Sequence, residues 1–198
     1  MPVAPARDAI TGLILAGGRG QRLGGVDKGL QPWRGRPLVD HALARLAPQV
    51  SEVMISANRN ASAYASRVTR VLADASDDFP GPLAGILAGL RAATTPWLAV
   101  VPCDSPCLPP DLVERLALGL AGARGAVVQR RHTDGVLRLE PVCCLLSTAL
   151  ADDLAPYLAE GGRKVEGWLS RHATAVLFDR PEDAAAFANI NTLADFER

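Results

Sequence analysis

The sequence has few of the residues that build metal centres, and it does not space them as ligands. It contains four cysteines: Cys103, Cys107, Cys143 and Cys144. None of them forms a Cys-x-x-Cys pair. It contains three scattered histidines: His41, His132 and His172. Because structural zinc sites use closely spaced thiolates and imidazoles, we expect no zinc site. The cysteines are expected to be reduced, buried thiols of a cytoplasmic protein.

An excess of one charge and a long apolar run are also missing. Lys and Arg together number 21, as do Asp and Glu, so the net charge is close to zero. Binding of nucleic acid is therefore not expected, and any bound anion must be held by local groups. No apolar run approaches the roughly 20 residues of a membrane span, so we expect no membrane association. The first residues lack the apolar core of a signal peptide, and 1–9 is expected to be a loose leader.

The remaining pattern favours one α/β domain over residues 1–198, with neither an internal repeat nor a long linker. Strands are predicted at 11–16, 53–57, 70–73, 97–101, 126–129, 142–146 and 175–178. Helices are predicted at 37–46, 82–93, 109–120, 148–158 and 164–171, and from 192 with Asp195 as a capping partner. The early strands are apolar throughout, which is typical of a parallel sheet covered on both faces. The prediction is a three-layer, Rossmann-like domain with a mainly parallel, mixed sheet that binds ligands at the carboxyl ends of its strands.

A glycine-rich segment, LILAGGRGQRLGGVDKG, spans residues 13–29 at the end of the first predicted strand. It is not a Walker A loop, because no Gly-Lys pair occurs in the chain. It does not complete the dinucleotide fingerprint either, because Leu23 stands where a glycine is needed. The acid required about 20 residues later would be Asp40, which falls in a predicted helix. Backbone N–H groups at the glycines and the cations of Arg22 and Lys28 suit a phosphate group.

This segment reads LAGG-x-G-x-R-L-GG-x-DKG and resembles the nucleotidyltransferases that join a nucleotide to a phosphorylated acceptor. Further marks of that family follow in order, and the resemblance covers residues 11–198. They are Asn58-Arg59, Asp74, the run Pro80 to Gly85, Pro102-Cys103-Asp104 with Pro109 to Leu112, and Asn189 to Thr192. Among these enzymes the sequence is most similar to the molybdenum cofactor guanylyltransferases. Two positions depart from the family pattern: Ser56 stands where an asparagine is frequent, and Leu193 stands where a proline is usual, which matters little for the chemistry.

The resemblance implies that the terminal phosphate of molybdopterin, with or without molybdenum, attacks the α-phosphorus of GTP and that pyrophosphate leaves. It implies catalytic roles for Lys28, Asp104 and Arg22, with Mg²⁺ on Asp104, since a hard carboxylate at a strand end suits that ion. The implied nucleotide contacts are Leu15, Ala16, Gly17, Gly18, Lys28, Ser56, Asn58, Asp74 and Asp104. The implied acceptor contacts are Gly81, Gly85, Arg163, Asn189 and Asn191. Proteins that deliver or receive the cofactor are expected as partners.

The sequence is compatible with alternative roles for some residues and with alternative functions. Either Ser56 or Asn58 contacts the nucleotide, and Asn191 is either a second metal ligand or a cap of the terminal helix. The function could also be that of a molybdopterin cytidylyltransferase or a sugar-phosphate nucleotidyltransferase, since base choice is implied by resemblance alone. A non-catalytic nucleotide-binding protein on the same fold is a further alternative, although it would be expected to lack Lys28 or Asp104. A nicotinamide-binding dehydrogenase is the least favoured alternative.

Overall fold

The computed structural model describes residues 4–17, 26–73 and 81–196. The strands in these residues are β1 (Ile10–Leu15), β2 (Pro32–Trp33), β3 (Arg36–Pro37), β4 (Glu52–Ser56), β5 (Arg70–Leu72), β6 (Trp97–Pro102), β7 (Gly125–Arg131), β8 (Leu137–Ser147) and β9 (Ala173–Phe178). The α-helices are α1 (Leu38–Leu46), α2 (Ala61–Ala65), α3 (Pro82–Ala92), α4 (Leu112–Leu118), α5 (Ala151–Ala159), α6 (Val165–Leu169) and α7 (Leu193–Phe196).

Seven strands form one sheet in the order β5-β4-β1-β6-β8-β7-β9. β1 pairs in parallel with β4 and β6, β4 with β5, and β7 with β9. β8 is antiparallel to both β6 and β7, so it alone in this sheet runs in the opposite direction. The short strands β2 and β3 form a separate hairpin. The prediction of a mainly parallel, mixed sheet is confirmed.

Apolar side chains cover both faces of the sheet, which explains why its strands are apolar throughout. In β1, Ile14 belongs to the cluster beneath α1 and α4, whereas its neighbour Leu13 belongs to the cluster beneath α3 and α5. Both side chains are fully buried. Successive strand residues point to opposite faces, so a strand buried on both sides can carry no polar alternation. The three-layer arrangement follows from this pattern.

The amino-terminal residues correct one expectation. Residues 1–9 are expected to be a loose leader, but within the described part of this segment Ala4 packs against the core and Arg7 Nε donates a hydrogen bond to the carbonyl oxygen of Val50 at 3.0 Å. Arg7–Ala9 forms a short 3-10 turn that leads directly into β1. For these residues the expectation is wrong, because their attachment depends on a long-range hydrogen bond and not on an apolar repeat.

The predicted elements differ from the observed ones chiefly in length. The helix expected over 109–120 is α4, which is shorter at both ends, and the strand expected over 142–146 is the eleven-residue β8. The helix expected over 148–158 begins as a 3-10 turn, Thr148–Leu150, and continues as α5. The terminal helix has its predicted capping partner, since Asp195 Oδ2 accepts a hydrogen bond from Thr192 N at 2.8 Å. Among the described residues, no helix combines the length and apolar character needed to cross a membrane.

Helix α3 lies close to the sheet because glycine occupies the contact. A Cβ atom at Gly89 would lie 2.5 Å from Leu13 Cδ2 and 3.0 Å from Leu98 Cδ2, both in the buried sheet. No side chain fits in that space without moving the helix or the two leucines. The separation of α3 from the sheet is therefore set by this glycine.

Replacing Gly89 by alanine should lower the free energy of unfolding by about 1–3 kcal/mol, because the added methyl group overpacks the core. Gly167→Ala is the matched control, since a Cβ there meets its nearest atom at 3.7 Å on the exposed side of α6. That control should raise stability by about 0.5–1 kcal/mol, through the lower helix propensity of glycine. Urea unfolding measures both, and equal destabilisation of the two variants would contradict the prediction.

Candidate active site

Three predicted site residues meet where the parallel strands end. Lys28 Nζ donates hydrogen bonds to Asp104 Oδ2 at 2.6 Å and to Asn191 Oδ1 at 2.5 Å. These partners lie 76 and 163 positions further along the chain. The side chains of Lys28 and Asp104 are 20% and 21% exposed. The cluster is thus partly shielded from water and still open to a ligand.

Asp104 owes its place to the end of β6. Beyond the last residue of that strand, Cys103 N donates to the carbonyl oxygen of Leu15 at 3.1 Å and prolongs the contact with β1. The carbonyl oxygen of Asp104 accepts a hydrogen bond from Ile190 N at 2.9 Å. The backbone of Asp104 is therefore held between β1 and the carboxyl-terminal segment.

The cysteine beside Asp104 takes no nucleophilic part. Burial raises the pKa of the Cys103 thiol to about 12, and the nearby carboxylate of Asp104 acts in the same direction. A thiol with this pKa is protonated at neutral pH, and only the thiolate is a good nucleophile. Cys103 is a packing residue, in line with the expectation of buried thiols.

The carboxyl-terminal segment presents Asn191 to Lys28. Its backbone is tied to Asp195, whose Oδ2 accepts from Asn191 N at 3.0 Å, so the helix cap uses the main chain of Asn191 and leaves the side-chain oxygen for Lys28. Two residues earlier, Asn189 Oδ1 accepts from the buried hydroxyl of Ser105 at 2.7 Å. Asn191 therefore belongs to the cluster, whereas Asn189 fastens the segment to the loop after β6.

Further predicted site residues lie at the ends of β1 and β4. Ala16 N donates to the carbonyl oxygen of Ser56 at 2.8 Å, and a Cβ at Gly17 would lie 3.7 Å from Asn58 Nδ2. Ser56 is only 2% exposed, and its Oγ would lie 2.6 Å from a Cβ at Gly85. Asn58, in contrast, is exposed and lies two residues beyond the carboxyl end of β4. Of the two candidates for the nucleotide contact, this geometry favours Asn58.

Other predicted site residues are placed less directly or not at all. Gly18, Arg22 and Asp74 lie outside the described residues, so their roles stay predictions. Gly81 is exposed at the start of α3, with a φ of 136° that only glycine adopts readily. Gly85 is buried against Ser56, so packing accounts for that glycine. Arg163 donates to two carbonyl oxygens of its own turn, those of Leu158 and Gly162.

The residues around Lys28 also fit a divalent cation. Asp104 offers a carboxylate and Asn191 an amide oxygen, and both groups contact the same ammonium. Among the residues that the structure describes, no group of three or more His, Cys, Asp or Glu side chains could enclose a metal ion. Mg²⁺ usually takes one or two protein carboxylates and completes its shell with water and phosphate oxygens. The oxygen set thus suits an ion that arrives with a nucleotide.

Sequence reasoning missed three residues that support the cluster. Asp27 directly precedes Lys28 and is buried, and its carboxylate accepts hydrogen bonds from Asn60 and Tyr64. The only signal in the sequence was the position of Asp27 inside the glycine-rich motif. Neither Asn60 nor Tyr64 stood out, because the helix that carries Tyr64 has five residues and no detectable period.

Comparison with known proteins places this geometry in a family. Residues 12–176 match the model of the MobA-like NTP transferase domain. The molybdenum cofactor guanylyltransferase of Ralstonia nicotianae is 56% identical over 196 residues, which cover 96% of this chain and 95% of that protein. The enzyme of the same name from Cupriavidus pinatubonensis is 56% identical over 95% of this chain and 94% of its own length.

A solved structure agrees with these relatives. The molybdopterin-guanine dinucleotide biosynthesis protein A of Archaeoglobus fulgidus superimposes with a TM-score of 0.74 at 25% identity, covering 95% of each chain. The similarity in fold, like the similarity in sequence, therefore extends over nearly the whole length of this chain. The chain belongs to the molybdenum cofactor guanylyltransferases, a family of nucleotidyltransferases with the MobA-like NTP transferase domain.

Proposed function

We propose that the protein transfers GMP from GTP to the terminal phosphate of molybdopterin, with or without bound molybdenum, forming the guanine dinucleotide and pyrophosphate. The observation that carries the proposal is the contact of Lys28 with Asp104 and Asn191 at the ends of the parallel strands. Curated relatives at up to 56% identity bear the name of this activity. The proteins that deliver or receive the cofactor, and the cytoplasmic location, stay predictions.

The reaction asks for charge and orientation more than for a base. A phosphate monoester has its second pKa near 6, so the acceptor oxygen is already an anion at neutral pH. That oxygen forms a bond to the α-phosphorus of GTP, and the bond from this phosphorus to the oxygen shared with the β-phosphate breaks. Pyrophosphate leaves with the electron pair. The difficulty lies in bringing two polyanions together, which positioning and electrostatics must overcome.

Lys28 is suited to the triphosphate and to the leaving group. An ammonium has three donors, of which Asp104 and Asn191 use two. The third is left for a phosphate oxygen, and the fixed positive charge stabilises the negative charge that develops on pyrophosphate. The backbone N–H groups of the glycine-rich segment would add donors to the same phosphates.

We further propose that Mg²⁺ is held by Asp104, with Asn191 beside it. When bound, the ion neutralises phosphate charge and fixes the geometry of the triphosphate. Asn58 is the proposed contact to the nucleoside, because it is exposed next to Gly17 at the end of β1. Gly81 and Arg163 are kept as proposed contacts to the acceptor, as is Asp74 as one to the nucleotide.

The product identifies the function. The protein is incubated with molybdopterin, Mg²⁺ and each of GTP, CTP, ATP and UTP in turn, and the dinucleotide is identified by mass spectrometry. We expect the guanine dinucleotide and an equal amount of pyrophosphate with GTP. A cytosine dinucleotide formed from CTP in preference would show a molybdopterin cytidylyltransferase instead, and no product with any nucleotide would contradict the proposal.

Lys28→Ala should lower kcat by about 10²–10³-fold, as does the loss of a group that stabilises charge in a transition state. Arg70→Ala is the matched control, because it also removes a cation next to a carboxylate. The Arg70 guanidinium lies 3.7 Å from the Glu52 carboxylate, and both residues begin their strands, at the end of the sheet remote from the site. The control should keep the wild-type kcat. Pyrophosphate release measures both, and a Lys28→Ala variant as active as its control would refute the assigned role.

Asp104→Ala should abolish pyrophosphate release without unfolding the protein, since the side chain is partly exposed and lies two residues beyond the end of β6. Raising the Mg²⁺ concentration about 100-fold should not restore the rate, since that factor is the most that loss of an outer partner of a metal typically costs. Glu52→Ala, remote from the site, is the control for loss of a carboxylate. Turnover of Asp104→Ala with the Mg²⁺ dependence of the wild type would contradict the assignment of Asp104 as a metal ligand.

A further inference from the structure

Both the side-chain carboxylate and the backbone carbonyl oxygen of Asp27 accept hydrogen bonds. The residue is 9% exposed, and its carboxylate accepts hydrogen bonds from Tyr64 OH at 2.6 Å on Oδ1 and from Asn60 Nδ2 at 3.0 Å on Oδ2. Its carbonyl oxygen accepts from Leu30 N at 3.2 Å, which closes the 3-10 turn Lys28–Leu30. A buried carboxylate is costly unless it is hydrogen-bonded, so the position of the turn depends on these two donors.

Tyr64 supports the same turn from beneath. The side chain is fully buried, and a Cβ at Gly29 would lie 2.5 Å from its hydroxyl oxygen and 3.5 Å from Cys103 Sγ. Burial first, and then the hydrogen bond to Asp27, raise the pKa of Tyr64 above its ordinary value. The hydroxyl therefore stays protonated and donating at any pH at which the enzyme works. The backbone next to Lys28 lies directly on this hydroxyl.

The two donors come from the segment that also carries Asn58. Asn60 has a φ of 52° and a ψ of 34°, a left-handed conformation that asparagine tolerates, and it precedes α2, which holds Tyr64. The chain from Asn58 to Tyr64 thus reaches from the proposed nucleoside contact to the support of the lysine turn. The two halves of the proposed nucleotide site are thus joined through the carboxylate of Asp27.

We propose that Asp27 is a positioning residue, whose hydrogen bonds to Asn60 and Tyr64 fix the direction of Lys28 and couple it to the loop after β4. This inference rests on the proposed function in one respect, namely that Lys28 binds the phosphates of the substrate. Asp27 itself contacts neither substrate nor metal in this scheme. Its effect on phosphate binding passes through Lys28.

A double-mutant cycle with Tyr64→Phe and Lys28→Ala tests the inference. Tyr64→Phe keeps the buried ring and removes the donor to Asp27. It should lower kcat about tenfold in the wild-type background, in line with the loss of one hydrogen bond to a charged group. In the Lys28→Ala background it should cause no further loss, because residues that act as a unit are not additive. Merely structural damage would lower kcat in both backgrounds by the same factor and would overturn the inference.

A second readout separates this inference from the proposed function. Calorimetry measures the binding of inorganic pyrophosphate with Mg²⁺ to the same four proteins, which requires neither GTP turnover nor molybdopterin. Tyr64→Phe should weaken this binding about tenfold, and only where Lys28 is present. If the wild type fails to convert GTP, the proposed function falls while this cycle still decides the role of Asp27. Equal pyrophosphate affinity of the wild type and Tyr64→Phe would overturn the inference.

Two further variants serve as controls for the double-mutant cycle. Tyr157→Phe removes the other tyrosine hydroxyl of the described chain, which donates to the carbonyl oxygen of Lys164 at 3.2 Å, and it should leave pyrophosphate affinity unchanged. Asn60→Gly removes the second donor and keeps the left-handed backbone, which glycine adopts freely. It should reproduce the loss in the presence of Lys28 even if Tyr64→Phe lowers the melting temperature. Full pyrophosphate affinity in Asn60→Gly would contradict the coupling.

Discussion

The position of the central strand is the constraint on which the site depends. β1 pairs in parallel with β4 on one side and with β6 on the other, so that Leu15 lies opposite both Ser56 and Pro102. Neighbouring strands are about 4.8 Å apart, and three loops therefore begin side by side at one edge. One loop starts the glycine-rich segment, one carries Asn58 and one carries Asp104. The register of three buried strands thereby determines which side chains can meet a ligand.

Charge in this protein is local. The chain as a whole has no net charge, yet Lys28 is set against a carboxylate and an amide oxygen where two polyanions have to approach each other. A partly exposed ion pair of this kind adds little to folding stability. Its position at the strand ends, and the hydrogen bond that the adjoining Asp27 accepts from Tyr64, fit the proposed chemistry on phosphate better than a need to stabilise the fold.

Much of the fold could be predicted because burial on both faces leaves a simple pattern. Continuous apolar strands and helices with a clear period were predicted at their observed places in the chain, and the mainly parallel character of the sheet follows from them, whereas the order of its strands does not. Elements of two to five residues, such as the β2–β3 hairpin and α2, have no period to detect. The attachment of residues 4–9 could not be predicted for a related reason. It includes a hydrogen bond from Arg7 to a residue 43 positions away, and the local sequence carries no signal of such a contact.

The sequence by itself determined the chemistry that is available: the glycine-rich segment, the cation at Lys28, the carboxylate at Asp104 and the family resemblance that linked them. The tertiary structure alone decided which of these groups meet. It joined Lys28 to Asn191, buried Ser56 beneath α3 while leaving Asn58 exposed, and turned Asp27 inward to Tyr64. The physical reason is that residue type and spacing are local, whereas burial and contact depend on sheet register and on segments more than a hundred positions apart.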